Sequence, residues 1–257
     1  MLTVTRRPWL VSRLVQSVSA QDFHGPLRHI VLVDDDERVC RALDAEQPRH
    51  PVEVILVPRA PSDADGPARL AVLRNMAVEL AGPQFIAFHD DDNTWEPHHL
   101  SSLWRTRSDE SADIVHSERK LFESDGEPYL RPEFPWGRHA ATRRAIYAYC
   151  VEAEIMERGS NVMRDRFEMR FTWIDLGEWL FPPGFLAAYP FETSYSSWDW
   201  YNISVEDQDL PRVVYESGLR VASTRAATLN YYLGGYTNLY EGEGLVWERP
   251  DSADACV

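Results

Sequence analysis

Phe85-Ile86-Ala87-Phe88 runs straight into His89-Asp90-Asp91-Asp92, and Asn93-Thr94-Trp95-Glu96-Pro97 follows. Adjacent carboxylates repel one another. Such a run is stable in open solvent or around a cation. A hard divalent ion takes oxygen ligands and needs only one or two protein carboxylates when phosphates complete its shell. Two more acidic runs stand elsewhere, Asp34-Asp35-Asp36-Glu37 and Glu206-Asp207. Each has a plain structural reading by itself: a solvated acidic turn, or acids set at a helix start to meet its dipole. Together they allow a metal-diphosphate site assembled from distant parts of the chain.

The elements that would carry these acids can be read in order. Leu2 to Thr5 is a short strand broken by Arg6-Arg7-Pro8, and Leu10, Leu14, Val15 and Val18 recur at helical spacing. Ile30 to Val33 is an apolar strand ending in the first acidic run, and Cys40 to Ala45 reads as a short helix. Val52 to Val57 is a third strand, and Leu70, Leu73, Met76, Ala77 and Leu80 mark a helix closed by Gly82. Phe85 to Phe88 is then a buried strand, with a helix bearing Leu100, Leu103 and Trp104 after it. Alternating strands and helices imply an α/β fold, with a mostly parallel Rossmann-like sheet covered by helices on both faces. Such a sheet gathers ligands at the carboxyl ends of its strands, where the first two acidic runs lie. The second half is irregular. It shows a strand over Asp113 to Ser117, a turn at Ser124-Asp125-Gly126, a helix over Arg143 to Arg158 and aromatic crowding over 171–201. A helix opens near Val205 and stops at Gly218, a short strand spans Arg220 to Ser223, and Leu229 to Tyr232 follows.

Composition narrows the functions. A 257-residue chain with 44% hydrophobic and 12% aromatic residues can bury a large core. Its net charge of −15 excludes a partner recognised through a basic face, so no nucleic acid is expected. Lys120 is the only lysine, so arginine carries the positive charge. The three cysteines, Cys40, Cys150 and Cys256, show no metal-ligand spacing and read as free thiols. No leader and no integral membrane segment are visible, which implies a cytoplasmic protein. No Gly-rich dinucleotide or P-loop pattern appears, so a bound nucleotide would be held by another device.

Several short motifs, taken in order, resemble a family 2 glycosyltransferase of the GT-A fold. They are Thr5-Arg6-Arg7-Pro8, Ser17-Val18-x-x-Gln21, Val33-Asp34-Asp35, Arg74-Asn75-x-Ala77 with Ala81-Gly82, His89-Asp90-Asp91-Asp92-Asn93-x-x-x-Pro97-x-x-Leu100, and Glu206-Asp207. The resemblance implies a nucleotide-sugar (donor) half over 1–110, an acceptor and catalytic-base half over 111–240, and a tail over 241–257. It implies that Thr5, Arg7, Asp35, Arg74 and Asp91 bind the nucleotide and that Asp92 holds Mn2+ or Mg2+. Asp207 is implied as general base, and Glu178, Trp179 and Glu206 are candidates on the acceptor side. The expected reaction moves a sugar from a UDP- or TDP-sugar donor to an acceptor hydroxyl with inversion. One base and no enzyme nucleophile fit in-line displacement. The first loop is a residue shorter than the family's usual Thr-Tyr-Asn-Arg-Pro, and 125–172 matches no family pattern.

Two other readings use the same residues. A sugar-nucleotide nucleotidyltransferase would want glycines and a lysine near the phosphates, and the first loop has neither. A silent nucleotide-sugar-binding protein would not need Asp35, Asp92 and Asp207 together. Among lesser candidates, His89 could face the site, while His98 and His99 read as solvent-facing on a helix. Asn75 packs its helix against the donor loop. Trp173, Trp179, Trp198 and Trp200 offer sugar-stacking faces, and Asp209 reads as helix-start charge. The aromatic second half could supply a homodimer interface.

Overall fold

The computed structural model describes residues 1–63, 66–137, 139–164, 166–167, 173–194, 207 and 209–234. Strand β2 (His29–Asp34) lies parallel between β1 (Leu2–Thr5) and β3 (Val52–Val57), with Leu2 opposite Ile30 and His29 opposite Val52. Every β2 residue is buried. Successive side chains point to opposite faces of a strand, and β2 uses both. Val31 and Val33 pack with Val11 and Val15 of α1 (Val11–Ser19) and Val39 and Leu43 of α2 (Glu37–Ala45). Ile30 and Leu32 pack on the other face with Ala71, Leu73 and Ala77 of α3 (Gly66–Ala81). A continuous apolar strand is what a two-sided parallel sheet requires.

The Phe85–Phe88 run joins this sheet to a second one. Leu2 N donates to Ala87 O at 2.9 Å and His89 N to Leu2 O at 2.9 Å, so the run lies parallel to β1. Its other edge meets Phe181 through Ile86 N to Phe181 O at 3.0 Å and Phe181 N to Ile86 O at 2.8 Å. The second sheet has the order β4 (Thr94–Trp95), β8 (Val221–Tyr232), β5 (Ile114–Phe122), β6 (Val162–Met163), and β7 (Trp179–Leu180) also pairs with β5. Helix α4 (His99–Glu110) packs on β5 and β8. Among the described residues the remaining α-helices are α5 (Ala140–Glu152), α6 (Phe185–Ala188) and α7 (Leu210–Ser217).

Several boundaries differ from expectation for local reasons. Helix α2 starts at Glu37, because the Asp36 carboxylate accepts from Arg38 N at 2.9 Å and caps it. The two-residue strand β4 intervenes before α4. Helix α5 runs earlier and stops at Glu152, and Glu154 turns the chain with φ 58°. The two short final strands are one strand, β8, with its register shifted against β5 between His116 and Arg119. Arg225 sits in that irregularity at φ 54°. The turn at Ser124-Asp125-Gly126 is present, closed by Glu123 N to Glu127 O at 2.7 Å. Cys40 and Cys150 are free thiols, and Cys256 lies outside the described residues, as does the 241–257 tail. No helix among the described residues is long and apolar enough to cross a membrane.

Candidate functional site

The site is built from the ends of parallel strands. Where β1 ends, Thr5 Oγ1 donates to Asp91 Oδ2 at 2.5 Å and accepts from Arg7 N at 3.2 Å. Arg7 Nε donates to Asp91 Oδ2 at 3.1 Å, and its Nη2 pairs with Asp91 Oδ1. The same Nη2 lies 2.9 Å from Asp92 Oδ2. Burial opposes the Arg7 charge, but Asp91 and Asp92 outweigh it and hold the guanidinium protonated.

The three adjacent aspartates go three ways. Asp91 is 2% exposed and turned inward onto Thr5 and Arg7. Asp90 takes Arg74 Nη2 at 2.8 Å. Asp92 faces outward with 29% of its side chain exposed. Loss of hydration raises the Asp92 pKa, and Asp91 and Asp90 push it the same way against Arg7. Arg74 is held between rings, its guanidinium carbon 5.8 Å from the centre of Phe88 and 5.9 Å from that of Phe191. The Asn75 side-chain amide grips the Phe191 backbone at both N and O, each at 2.9 Å. Arg74 thus packs on Phe88 and Phe191, and Asn75 ties α3 to the Phe191 backbone.

The first acidic run also divides its labour. Asp34 is buried against Arg59 at 2.5 Å and Arg69 at 2.9 Å. Asp35, the next residue, is exposed at the strand end with φ 55°. Left-handed backbone is costly for a residue with a Cβ, though Asp tolerates it better than most. The neighbouring strands fix it, since Asp35 N donates to Val57 O at 3.1 Å.

Asp207 precedes α7, and its carbonyl accepts from Leu210 N at 3.0 Å. Its charge acts on Asp175, a residue with no role expected from the sequence. The Asp175 carboxyl is lifted to about 7, first by burial and then by Asp90 and Asp207, against the pull of Arg119. Asp207 and Asp90, far apart in sequence, thus act on one carboxyl. Asp175 Oδ1 accepts from Gly177 N at 2.8 Å, and Glu178 Oε2 accepts from Asp175 N at 2.7 Å, a capping box. The Asp-x-x-Glu spacing was the available signal.

Other candidates are corrected. Glu178 is fully buried, with Arg119 Nη1 at 3.6 Å, so it supports Asp175 and has no surface for an acceptor. Trp179 is fully buried against Phe181, Phe167 and His116, a core residue without a face for sugar. His89 is buried and turned from the site, with Nε2 3.0 Å from Ser17 Oγ and Nδ1 2.9 Å from Asp90 O. His99 faces inward, not to solvent, stacking on Trp95 with Nδ1 2.7 Å from Thr228 Oγ1. His98 is exposed as expected. Trp173 keeps 38% exposure beside Phe134 and Tyr149. Glu206, Trp198 and Trp200 lie outside the described residues. The lone lysine is tied to Glu96 at 2.6 Å.

Among the described residues no group of three potential metal ligands comes together. Asp92 nonetheless fits a hard cation in kind. It offers carboxylate oxygen at the rim, poorly hydrated and crowded by like charge.

The family described as "Glycosyl transferase family 2" matches residues 4–167. No curated protein matches the sequence. Among solved structures, the chain is similar to Staphylococcus aureus TarS 1-349 in complex with UDP-GlcNAc, at 15% identity and a TM-score of 0.58. That match covers 90% of this chain and 57% of the other. TarS 1-349 in complex with UDP matches at 13% identity and TM-score 0.57, covering 90% and 60%. The chain thus spans less than two thirds of the TarS chains it resembles, and the likeness is one of fold.

Proposed function

The chain belongs to glycosyl transferase family 2, and from that premise we propose that it transfers a sugar from a nucleoside-diphosphate sugar, UDP- or TDP-linked, to an acceptor hydroxyl with inversion. The observation that supports the reading is the cluster at the strand ends, where Arg7 bridges Asp91 and Asp92 beside Thr5.

Each residue then has a task its position supports. Asp35, exposed at the strand end, accepts the imide N–H of a uracil or thymine base. Thr5 and the buried Asp91 carboxylate, which has no face left for a ribose, hold Arg7 in position at the end of β1. Arg7 and Asp92 face the diphosphate, and Asp92 holds Mn2+ or Mg2+. That ion, when bound, would neutralise charge on the leaving diphosphate as a Lewis acid. Arg74 keeps Asp90 and the Phe88 strand end in place. Asp207 takes the proton of the acceptor hydroxyl as it attacks the anomeric carbon from the face opposite the leaving group. Asp175, its carboxyl raised to about 7 by burial, carries less negative charge near neutral pH than an exposed aspartate would. Residues 1–110 serve as the donor half and 111–240 as the acceptor half. The acceptor itself is a hydroxyl compound of unassigned class.

A thermal-shift series with UDP, TDP and GDP, with and without Mn2+, tests the donor site. Ligand bound to the native state raises its melting temperature by mass action. UDP or TDP with Mn2+ is expected to stabilise the protein above GDP. No stabilisation by any nucleoside diphosphate with metal present would remove the reading.

A further inference from the structure

We propose that the Arg7 guanidinium is the resident counter-cation of the Asp91-Asp92 pair, so that a divalent ion settles on Asp92 only together with a nucleoside diphosphate that draws Arg7 onto a phosphate oxygen. This rests on the donor-site reading above and adds a rule of assembly to it.

Among the described residues the ion-pair partner of Asp92 is Arg7, whose Nη2 lies 2.9 Å from Asp92 Oδ2. The same Nη2 also pairs with Asp91. One guanidinium thus spans the two carboxylates that would otherwise attract a metal. Asp91 cannot swing out to help coordinate an ion, because Thr5 Oγ1 holds its Oδ2 at 2.5 Å and Arg7 Nε holds the same oxygen at 3.1 Å. What remains for an ion is one carboxylate already paired with a cation, and no group of three potential ligands stands among the described residues. A hard cation bound by so few protein oxygens needs other oxygens to complete its shell.

A nucleoside diphosphate changes the balance twice. It brings phosphate oxygens for the ion, and it offers the guanidinium a second partner. Arginine pairs with phosphate in a two-pronged geometry as readily as with carboxylate. Arg7 keeps 36% of its side chain exposed, so its outer edge is open to such a ligand. With Arg7 moved toward phosphate, Asp92 is left to the ion. Metal and nucleotide therefore bind as a pair.

Uptake of Mn2+ can be followed by loss of the free-ion paramagnetic resonance signal, with protein-free UDP solutions as controls. Wild-type protein should take up little Mn2+ alone and bind it when UDP is added. R7Q should bind Mn2+ without UDP at least about tenfold more tightly than wild type, a coupling in the ordinary range for linked sites. R7K, which keeps the charge but loses the fork, should fall between wild type and R7Q, and D92N should take up no ion in either condition. Melting curves verify that each variant is folded. If wild type binds Mn2+ alone as tightly as R7Q does, yet gains further with UDP, the Arg7 role is overturned and the donor site stands. If no protein takes up Mn2+ with UDP, both fall.

Discussion

Asp207→Asn keeps the shape of the side chain and removes its basicity. If Asp207 takes the acceptor proton, kcat should fall by roughly 10²–10⁴-fold. UDP should still raise the melting temperature, because the donor rim is untouched. Sugar-transfer assays beside a UDP thermal shift measure the two separately, and full activity would reassign the base. Single residues also show how far the sequence can be read. That Asp35, Asp91 and Asp92 follow strand ends was legible, because an apolar run ending in acids marks such an end. Asp175 was not, since its raised affinity for protons comes from burial and from Asp90 and Asp207, which only the fold brings near. Trp179 and Glu178 were misread for the same reason: residue type does not reveal that a side chain has no exposed surface. His99 looked solvent-facing until Trp95 and Thr228 were found around it.

Helix α7 ends at Gly218, which adopts φ 68° with no atom near an added Cβ. Gly218→Ala should therefore cost only the left-handed backbone penalty, about 1 kcal/mol, readable as a lower urea midpoint with unchanged slope. Because α7 follows Asp207 directly, a larger loss together with lost activity would mean that this turn also helps hold the base. The interiors of elements were legible from periodicity: the buried positions of α1 are Val11, Leu14, Val15, Ser17 and Val18. Their ends were less so. A cap such as Asp36 moves a start by a turn, and the irregular pairing around Arg225 made one long strand read as two.

Across the whole molecule, four buried histidines are held neutral. His89 and His116 fall to about 4, chiefly by burial, and His29 and His99 lie well below their usual value for the same cause. A base whose folded pKa is depressed binds fewer protons folded than unfolded below the unfolded value near 6.5. Stability is therefore complete above that value and lost as pH falls from about 6.5 toward 4. The shifts at His89 and His116 correspond to about 3 kcal/mol each. Melting temperatures between pH 8 and 4 should drop steeply over that window, and His116→Gln should soften the drop. A flat profile would contradict the neutral assignment.

The clasp at Ile86 to His89 has its own consequence. The amides of Leu2, Ile86, His89 and Phe181 donate every backbone bond described above between the two sheets. In heavy water, peeling the Phe85–Phe88 run away from both neighbours would bare all four protons at once. Their deuterium uptake should therefore share a single rate, as if one latch were lifting, while amides inside β2 on one side and β5 on the other keep their own slower clocks.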